Sequence, residues 1–389
     1  MSLVSHHVDP ARILLASLPF AGHAHPMAAL SHELVARGHD VVVHTGAKYR
    51  HLFGDVEQLP WSRDFDDARL AETFPAVGDG KGVRANLANV RDVLVGTGAA
   101  QARDVLATEF DLVVTDHLAF GAAMAAELRQ VPWATVAVTP LVTSGSLLRA
   151  LSTFTADPMF NRMRAEAGLG PKAGALEAFY SPDLVVAQGV PALEPARTPP
   201  QVRFVGRLTT PPSAATPEWW GDLDGRTVVH VTQGTLETGA GDLLRPAVEA
   251  LAGHDALVVC TTGGAPPEVL GPVPDNVRVA AFIPHDLLLA RTDVMITNGG
   301  WGGVLAALEA GVPLVVVPGA LDKPQVARRV AQSGAGIVKK RPTDLGKAVD
   351  RVLSEPRHRE RARALGRDIR AAGGAAVAAD LVEDLLRRR

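Results

Sequence analysis

The stretch from residue 293 to residue 330 constrains the fold more than any other part of the sequence. Residues 294–297 form a short apolar run of strand length, and the glycine-rich residues 298–303 follow directly. Helical spacing begins at Val304 and ends at Gly311, a glycine in the position typical of a helix C-terminus. A strand, a glycine turn and a helix in this order present backbone N–H groups and the positive end of a helix dipole, which favours phosphate binding.

Residues 312–317 predict a second buried strand, and Asp322 opens another helix. Glycine turns of this kind also occur as tight connections in parallel sheets without any ligand, so the turn alone does not define a site. If the turn binds a nucleotide diphosphate, the residues that contact it are Asn298, Gly299, Gly300, Trp301, Gly302 and Gly303.

The whole stretch resembles the nucleotide-sugar signature of GT-B glycosyltransferases of the family 1 type, in particular bacterial enzymes that act on natural products such as macrolides. That signature has His-Gly-Gly, a helix ending in Gly-Val-Pro, a strand, then Asp-Gln and a helix with Arg-Arg-Val. The chain departs from it at Asn298 and at Lys323, which replace the histidine and the glutamine. The resemblance implies that Asp322 and Lys323 contact the sugar, with Lys323 partly replacing the missing positive charge. The matching positions are Gly299, Gly300, Gly311, Val312, Pro313, Asp322, Arg328, Arg329 and Val330.

Composition is consistent with a large enzyme that binds small molecules. At 389 residues and 47% hydrophobic content, the chain can bury two ordinary domain cores. A net charge of −3 gives no reason to expect nucleic acid as a partner. The single cysteine, Cys260, excludes an internal disulfide, and neither a signal peptide nor a membrane-length apolar stretch is visible. We expect a cytoplasmic protein without an integral membrane segment, either a monomer or a homodimer.

The N-terminal part predicts a βαβ unit. Residues 12–18 read as a strand, residues 19–26 as a turn, and a helix ends at Gly38 before the strand 40–45. Ligands bind beyond the carboxyl ends of the strands in such sheets, which is where the turn lies.

The turn matches the family's Gly-His-x-x-Pro element at Gly22, His23 and Pro26. The resemblance implies that His23 is the general base, because an imidazole titrates near neutrality and can accept a hydroxyl proton. The nearby His25 is read as a lining or solvent-facing residue.

Asp116 stands at the end of the next predicted strand, residues 111–117, and precedes a helix at 120–129. Since the first strand also ends at the His23 turn, both side chains can reach one site. The resemblance implies that Asp116 orients the histidine and stabilises its charged form. An N-cap of the following helix is the alternative for this aspartate.

The segments 60–90 and 140–175 carry no transferable motif. Their bulky apolar residues suit the lining of an apolar acceptor site, and they suit ordinary helix packing equally well. The sequence Asp64-Phe65-Asp66 resembles an Asp-x-Asp metal motif but lacks a flanking apolar strand, so a solvated acidic loop is the better interpretation. The tentative acceptor-pocket residues are Trp61, Phe65, Phe74, Leu141, Phe154 and Phe160.

The second half restarts the α/β pattern at residue 227. Gly234 and Thr235 follow its first strand and resemble the family's turn near the phosphates. Phe282 and Ile283 precede a proline and resemble the element in which an aromatic ring lies beside the nucleobase, an interaction worth about 1–3 kcal/mol per base.

The predicted fold is α/β with two Rossmann-like domains facing across a cleft, the GT-B arrangement. Residues 1–205 form the acceptor-binding domain, and 206–222 a proline-rich linker. Residues 223–372 form the nucleotide-sugar domain, and the C-terminal helix 373–389 packs back on the first domain, as the resemblance implies.

The predicted function is inverting transfer of a sugar from a nucleotide-diphosphate donor to a hydroxyl of an apolar natural product such as a polyketide or macrolide. No cofactor and no metal are expected. A family glutamate that binds the ribose hydroxyls is replaced by Ala306, with Glu309 one turn further on. This favours a dTDP-deoxysugar over a UDP-sugar. The alternatives are a GT-B nucleotide-sugar epimerase or hydrolase, and a non-catalytic partner protein.

Overall fold

A computed structural model describes residues 9–78, 82–141, 146–174, 180–194, 198–210, 215–234 and 241–388, with the side chains of 83 and 146–155 left out. The chain divides into two compact units. The N-terminal unit contains Met1–Gln188, Thr198–Thr210 and Gly373–Arg389, and the C-terminal unit contains Gly189–Arg197 and Pro211–Ala372.

The N-terminal unit is built on a seven-stranded parallel sheet of order β3-β2-β1-β4-β5-β6-β7. Its central strands are apolar and fully buried, as expected for a parallel sheet covered by helices on both faces. The strands are β1 Arg12–Ala16, β2 Asp40–His44, β3 Glu57–Leu59, β4 Leu112–Asp116, β5 Trp133–Ala137, β6 Leu184–Ala187 and β7 Val202–Phe204.

Helices and short turns connect these strands. The α-helices are α1 Ala21–Ala36, α2 Leu70–Thr73, α3 Gly82–Ala88, α4 Gly98–Val105, α5 Phe120–Arg129 and α6 Ser146–Glu166. A π-helical segment, Asn89–Val95, continues α3, and 3-10 turns occupy Ala47–Phe53, Asp67–Arg69 and Pro75–Val77. The helix predicted at 120–129 is therefore confirmed.

The C-terminal unit repeats the plan with a six-stranded parallel sheet of order β10-β9-β8-β11-β12-β13. The strands are β8 Val228–Thr232, β9 Leu257–Thr261, β10 Val277–Ala280, β11 Val294–Thr297, β12 Leu314–Val316 and β13 Gly336–Val338. The α-helices are α7 Leu244–Ala250, α8 His285–Leu289, α9 Trp301–Glu309, α10 Lys323–Ser333, α11 Leu345–Ser354 and α12 Pro356–Ala371, with 3-10 turns at Pro191–Leu193, Glu218–Leu223 and Pro267–Leu270.

Both sheets reverse their strand order once, and the predicted sites lie at those points. In the N-terminal sheet the reversal falls between β1 and β4, where His23 and Asp116 are found. In the C-terminal sheet it falls between β8 and β11, which run into Gly234 and into the glycine turn. Open α/β sheets bind ligands beyond the strand ends at such a switch point.

Two helices begin earlier than predicted. α1 starts at Ala21, so His23 lies in its first turn and not in a preceding loop. α9 starts at Trp301, so the last two glycines of the turn, Gly302 and Gly303, are helical. Glycine and proline disfavour helix interiors, but the first turn tolerates them because its N–H groups have no helical partner there.

The chain crosses from one unit to the other at several places, whereas the sequence predicted a single linker. Residues 189–194 belong to the C-terminal unit, where Val190 and Leu193 are buried in its core. Glu194 forms a 2.5 Å ion pair with Arg329, and both side chains are only 3% exposed. Of the predicted linker, Glu218–Leu223 is a 3-10 turn packed on the same unit. The proline content of a segment therefore did not distinguish a free linker from a segment that packs on a unit.

The C-terminal helix α13, Gly374–Arg387, belongs to the N-terminal unit. Its buried face, including Val382 and Leu385, joins the core formed with α1. Arg37 of α1 lies 2.6 Å from Asp380, and its other guanidinium nitrogen donates to the Ala376 carbonyl. None of the described helices is long and apolar enough to cross a membrane.

A buried histidine makes the N-terminal unit sensitive to acid. His44, at the end of β2, is fully buried with its ring 5.1 Å from that of Trp61, and burial lowers its pKa to about 4. Below its unfolded pKa of about 6.5, the unfolded chain takes up a proton that the folded chain excludes. The free energy of unfolding should therefore fall between pH 6.5 and 4, by about 3 kcal/mol for this residue.

The variant His44→Leu should lose this part of the pH dependence, as urea unfolding followed by tryptophan fluorescence at pH 4.5–7.5 would measure. His32→Gln is the control, because His32 is exposed on α1. Equal slopes for wild type and His44→Leu would contradict the assignment.

Candidate active site

His23 and Asp116 meet at the carboxyl end of the N-terminal sheet. Nδ1 of His23 lies 3.1 Å from Oδ2 of Asp116, and the two side chains are 12% and 0% exposed. His23 comes from the first turn of α1 and Asp116 is the last residue of β4. The nearby His25 is exposed. The geometry thus brings together the pair that the sequence predicted.

Asp116 also closes the turn between β4 and α5, but it does not cap that helix, whose N-cap is Ala119. Its Oδ1 accepts hydrogen bonds from the backbone N–H groups of Leu118 at 2.7 Å and Ala119 at 3.1 Å. Its Oδ2 accepts from the N–H of Leu18 at 2.7 Å on the side that faces His23. One oxygen binds the turn before α5 and the other faces the histidine.

The electrostatics keep Asp116 ionised. Burial by itself would raise the pKa of this carboxyl, but the His23 ring and the N–H of Leu18 lower it and prevail, so the pKa lies below its usual range. A buried carboxylate at this distance can hold a proton on Nδ1 of His23 and stabilise an imidazolium.

A third ring, missed by sequence reasoning, lies beside the pair. His117 is 4% exposed, and its ring is nearly parallel to that of His23, with centroids 6.0 Å apart and an angle of 12°. Tyr180 stacks on it in the same way, at 6.3 Å and 14°. Burial lowers the pKa of His117 to about 4, so the ring is neutral at pH 7. The only sequence signal was its position directly after Asp116.

The aromatic residues expected to line an acceptor pocket are packed against one another. Trp61, Phe65 and Phe74 are 5–7% exposed and belong to one buried cluster with Phe20. The Phe20 ring contacts Phe65 at 5.6 Å and His23 at 5.5 Å. These side chains therefore support the His23 turn from within the unit and do not form an open lining.

Two of the other expected pocket residues, Leu141 and Phe160, are also packed inside the unit. Leu141 is buried against β5 and β6, and Phe160 packs edge-on against Phe120 at 5.6 Å. Phe154 lies in α6, and its side chain is outside the described residues.

The glycine turn of the C-terminal unit has the shape of an anion site. Gly299 has φ +90°, and a Cβ there would come within 3.2 Å of Val316 and 3.3 Å of the Lys323 carbonyl, so only glycine fits. The first helical hydrogen bond of α9 runs from the Val304 N–H to the Gly300 carbonyl. The N–H groups of residues 301–303 precede it and point out of the helix N-terminus.

Asn298 occupies the place of the family histidine but contacts the backbone. Its side-chain NH2 group donates to the carbonyl of Gln233, next to Gly234, and the residue is 3% exposed. Its own carbonyl accepts from the Gly319 N–H at 3.0 Å. Asn298 thus joins the loops after β8, β11 and β12, a role that the sequence did not indicate.

The Trp301 side chain is not available to a nucleotide. It is 3% exposed and lies in the core of the C-terminal unit, where a Cβ at Gly189 would be 3.0 Å from its ring. Only its backbone faces the anion site. Gly302 has open space on its Cβ side, whereas a Cβ at Gly303 would lie 3.4 Å from His285.

Asp322 and Lys323 follow β12 and begin α10, Asp322 as its N-cap. Lys323 is 7% exposed, and its backbone lies against Gly299. The structure thus brings the backbone of Lys323 beside the glycine turn, and contact of its side chain with the donor stays a prediction.

The two residues of the predicted nucleobase element differ in exposure, and their contact with a base stays a prediction. Phe282 is 63% exposed after the end of β10, two strands from β8, or about 10 Å across the sheet. Ile283 is 2% exposed and packs on Leu223 and Leu257, so its side chain belongs to the core. Gly234, two residues after the end of β8, has φ +75°, and Thr235 lies outside the described residues.

No group of three or more His, Cys, Asp or Glu side chains that could hold a metal occurs in the described part of the chain.

The carboxylates of residues 64–67 contact groups of the same unit. Asp64 accepts from the Ala47 N–H, Asp66 pairs with Lys48, and Asp67 is buried and accepts from the Tyr49 hydroxyl at 2.6 Å. Asp67, which follows the Asp64-Phe65-Asp66 motif, is therefore part of the packed interior.

Comparisons with known proteins agree with this geometry. Residues 245–385 match the family described as erythromycin biosynthesis protein CIII-like, C-terminal domain. The chain is 40% identical to 4'-demethylrebeccamycin synthase of Lentzea aerocolonigenes, over 97% of this chain and all of that one. It is 27% identical to UDP-glucosyltransferase A1 of Starmerella bombicola, over 96% and 92% of the two chains. The crystal structure of CalG4, the calicheamicin glycosyltransferase, superposes with a TM-score of 0.79 at 26% identity, over 98% and 99% of the chains.

Two parallel α/β units with these switch-point sites define a glycosyltransferase of the GT-B fold. The chain belongs to the family 1-type glycosyltransferases of bacterial natural-product biosynthesis.

Proposed function

We propose that this glycosyltransferase moves a sugar, preferably a deoxysugar, from a dTDP donor to a hydroxyl group of an apolar natural product, with inversion at the anomeric carbon. The observation that carries the proposal is the pair of His23 and Asp116, 3.1 Å apart at the ends of adjacent strands.

The pair supplies the base for inversion. The Asp116 carboxylate, 3.1 Å from Nδ1, favours the tautomer of His23 that carries the proton on that atom, which leaves a lone pair on Nε2. Nε2 takes the proton of the acceptor hydroxyl as the oxygen attacks the anomeric carbon. The bond from that carbon to the diphosphate oxygen breaks on the opposite face, and the diphosphate leaves with the electron pair. Asp116 stabilises the imidazolium that forms.

The leaving diphosphate meets the N-terminus of α9. The backbone N–H groups of residues 301–303 and the helix dipole stabilise its negative charge. Lys323, whose backbone lies beside Gly299, is the candidate for an added positive charge. Transfer by this route needs no metal ion, so the assay is run in EDTA.

Product analysis with and without acceptor tests the proposed reaction. Glycoside formation in EDTA, together with an inverted anomeric configuration by NMR, supports it. Free sugar as the main product in the presence of acceptor would indicate a hydrolase, and a retained configuration would exclude a single displacement by His23.

The donor preference rests on the middle of α9. The residue eight positions after Asn298 is Ala306, which is 3% exposed and has no hydrogen-bonding group. A ribose with one hydroxyl loses less from this absence than a ribose with two. We expect a preference for the 2'-deoxy nucleotide of about 0.5–1.5 kcal/mol, the net worth of one hydrogen bond.

Calorimetric titration with dTDP, dUDP and UDP measures this preference. The pair UDP and dUDP isolates the 2'-hydroxyl, and the pair dUDP and dTDP isolates the methyl group of the base. A relative named as a UDP-glucosyltransferase makes UDP the alternative. Tighter binding of UDP than of dUDP would overturn the dTDP assignment.

A further inference from the structure

His117 lies in a row of three rings that the reaction, as proposed above, does not use. His23, His117 and Tyr180 come from α1, the end of β4 and the segment before β6, and adjacent rings differ in orientation by 12° and 14°. His117 itself is anchored, since its Nε2 lies 3.1 Å from the hydroxyl of Thr139 and its backbone N–H donates to the Val136 carbonyl at 3.2 Å.

We propose that His117 is a positioning residue whose ring face holds the imidazole of His23 in the plane required for proton transfer. This inference rests on the proposed role of His23 as the base.

Asp116 alone does not set that plane. The contact between Nδ1 of His23 and Oδ2 of Asp116 is short, but the ring N–H is not directed along it as in a regular hydrogen bond. A single contact at one ring atom leaves the imidazole able to tilt about its Cβ–Cγ bond. A parallel ring alongside, with its own orientation fixed by Thr139, restricts this tilt.

The charge of the neighbouring ring, His117, also affects proton transfer to His23. Proton transfer turns His23 into a cation, and a second positive charge 6.0 Å away would oppose it. His117 is buried and neutral at pH 7, so it offers the face of an aromatic ring without a competing charge. The centroid distance lies in the range of about 4.5–7 Å that offset-stacked aromatic rings prefer.

Two substitutions separate the ring from its hydrogen bond. His117→Phe keeps an aromatic face and loses the bond to Thr139, whereas His117→Gln keeps a polar group for Thr139 and loses the ring. We expect His117→Gln to lower kcat by about 10- to 100-fold, as for a misplaced catalytic group, with the donor KM changed by less than about threefold. His117→Phe should stay within about threefold of the wild-type kcat. The reverse order, with Gln active and Phe inactive, would overturn the proposal.

His230→Gln is a matched control. His230 is also fully buried, and its Nε2 also lies 3.1 Å from a threonine hydroxyl, that of Thr261, but it belongs to β8 of the other unit. Thermal unfolding of both Gln variants shows whether they lose similar stability. A kcat loss in His230→Gln as large as that in His117→Gln would indicate a general effect of removing a buried histidine, and the proposal would be wrong.

A double-mutant cycle with His23→Ala completes the test. A residue that acts through His23 should have no further effect on kcat once that ring is absent. If His23→Ala is strongly impaired and His117→Gln lowers kcat by the same factor in both backgrounds, the positioning role is wrong while the base assignment stands. If His23→Ala retains the wild-type kcat, the proposed function itself fails.

Discussion

Replacement of His23 by alanine should lower kcat by about 10²- to 10⁴-fold, the usual contribution of a general base. Nε2 of His23 acts only in the transition state, when the acceptor hydroxyl loses its proton, so the dissociation constant of the donor nucleotide should stay unchanged. Steady-state kinetics with a fixed acceptor gives kcat, and calorimetry with dTDP gives the affinity.

His25→Ala is the matched control for this variant, because His25 lies two residues away on the same helix and is exposed. It should keep most of the wild-type kcat. A loss of similar size in both variants, or a weakened affinity for dTDP in His23→Ala, would contradict the assignment of the base.

Replacement of Asp116 should affect both activity and stability, because its carboxylate serves two partners. Asp116→Ala leaves the N–H groups of Leu18 and Leu118 without their acceptor, while the Ala119 N–H keeps its bond to the backbone carbonyl of residue 116. This should cost about 2–5 kcal/mol of unfolding free energy. Asp116→Asn keeps one oxygen for the turn before α5, but its NH2 group faces the N–H of Leu18 and His23. It should therefore lose about 10²- to 10⁴-fold in kcat with a smaller loss of stability.

Asp111→Ala is the control for stability alone. Asp111 lies just before the opposite end of β4, where its carboxylate accepts the Arg12 N–H at 2.9 Å. This variant should be destabilised and keep its kcat. If Asp116→Asn retains the wild-type kcat, Asp116 only stabilises the turn before α5.

Asp116 also makes the free energy of unfolding depend on pH in the acidic range. Because its folded pKa lies below the ordinary value of about 3.9, its stabilising contribution is complete above that pH and is lost as the pH falls through the folded pKa. Asp116→Asn should remove this part of the acid dependence, which lies below the range in which the buried histidines act.

Much of the architecture was readable from local sequence. Apolar runs bounded by glycine located the central strands, and helical spacing located α5 with its observed ends, because both signals depend on neighbouring residues. The starts of α1 and α9 were placed too late, since local propensity penalises the glycines that the first turn of a helix accepts. The aromatic residues at 61–74 were assigned to a pocket, because sequence cannot distinguish a lining ring from a packed one.

The sequence by itself determined two parallel α/β units, the strand ends that carry His23 and Asp116, and the glycine turn before α9, because each depends on the order of residues along a short stretch. Only the tertiary structure decided that Asp116 contacts both a turn and a histidine, that Asn298 bonds to the Gln233 carbonyl, and that the His117 ring is nearly parallel to that of His23. These contacts join residues far apart in the chain, and their geometry depends on how helices pack on the sheets.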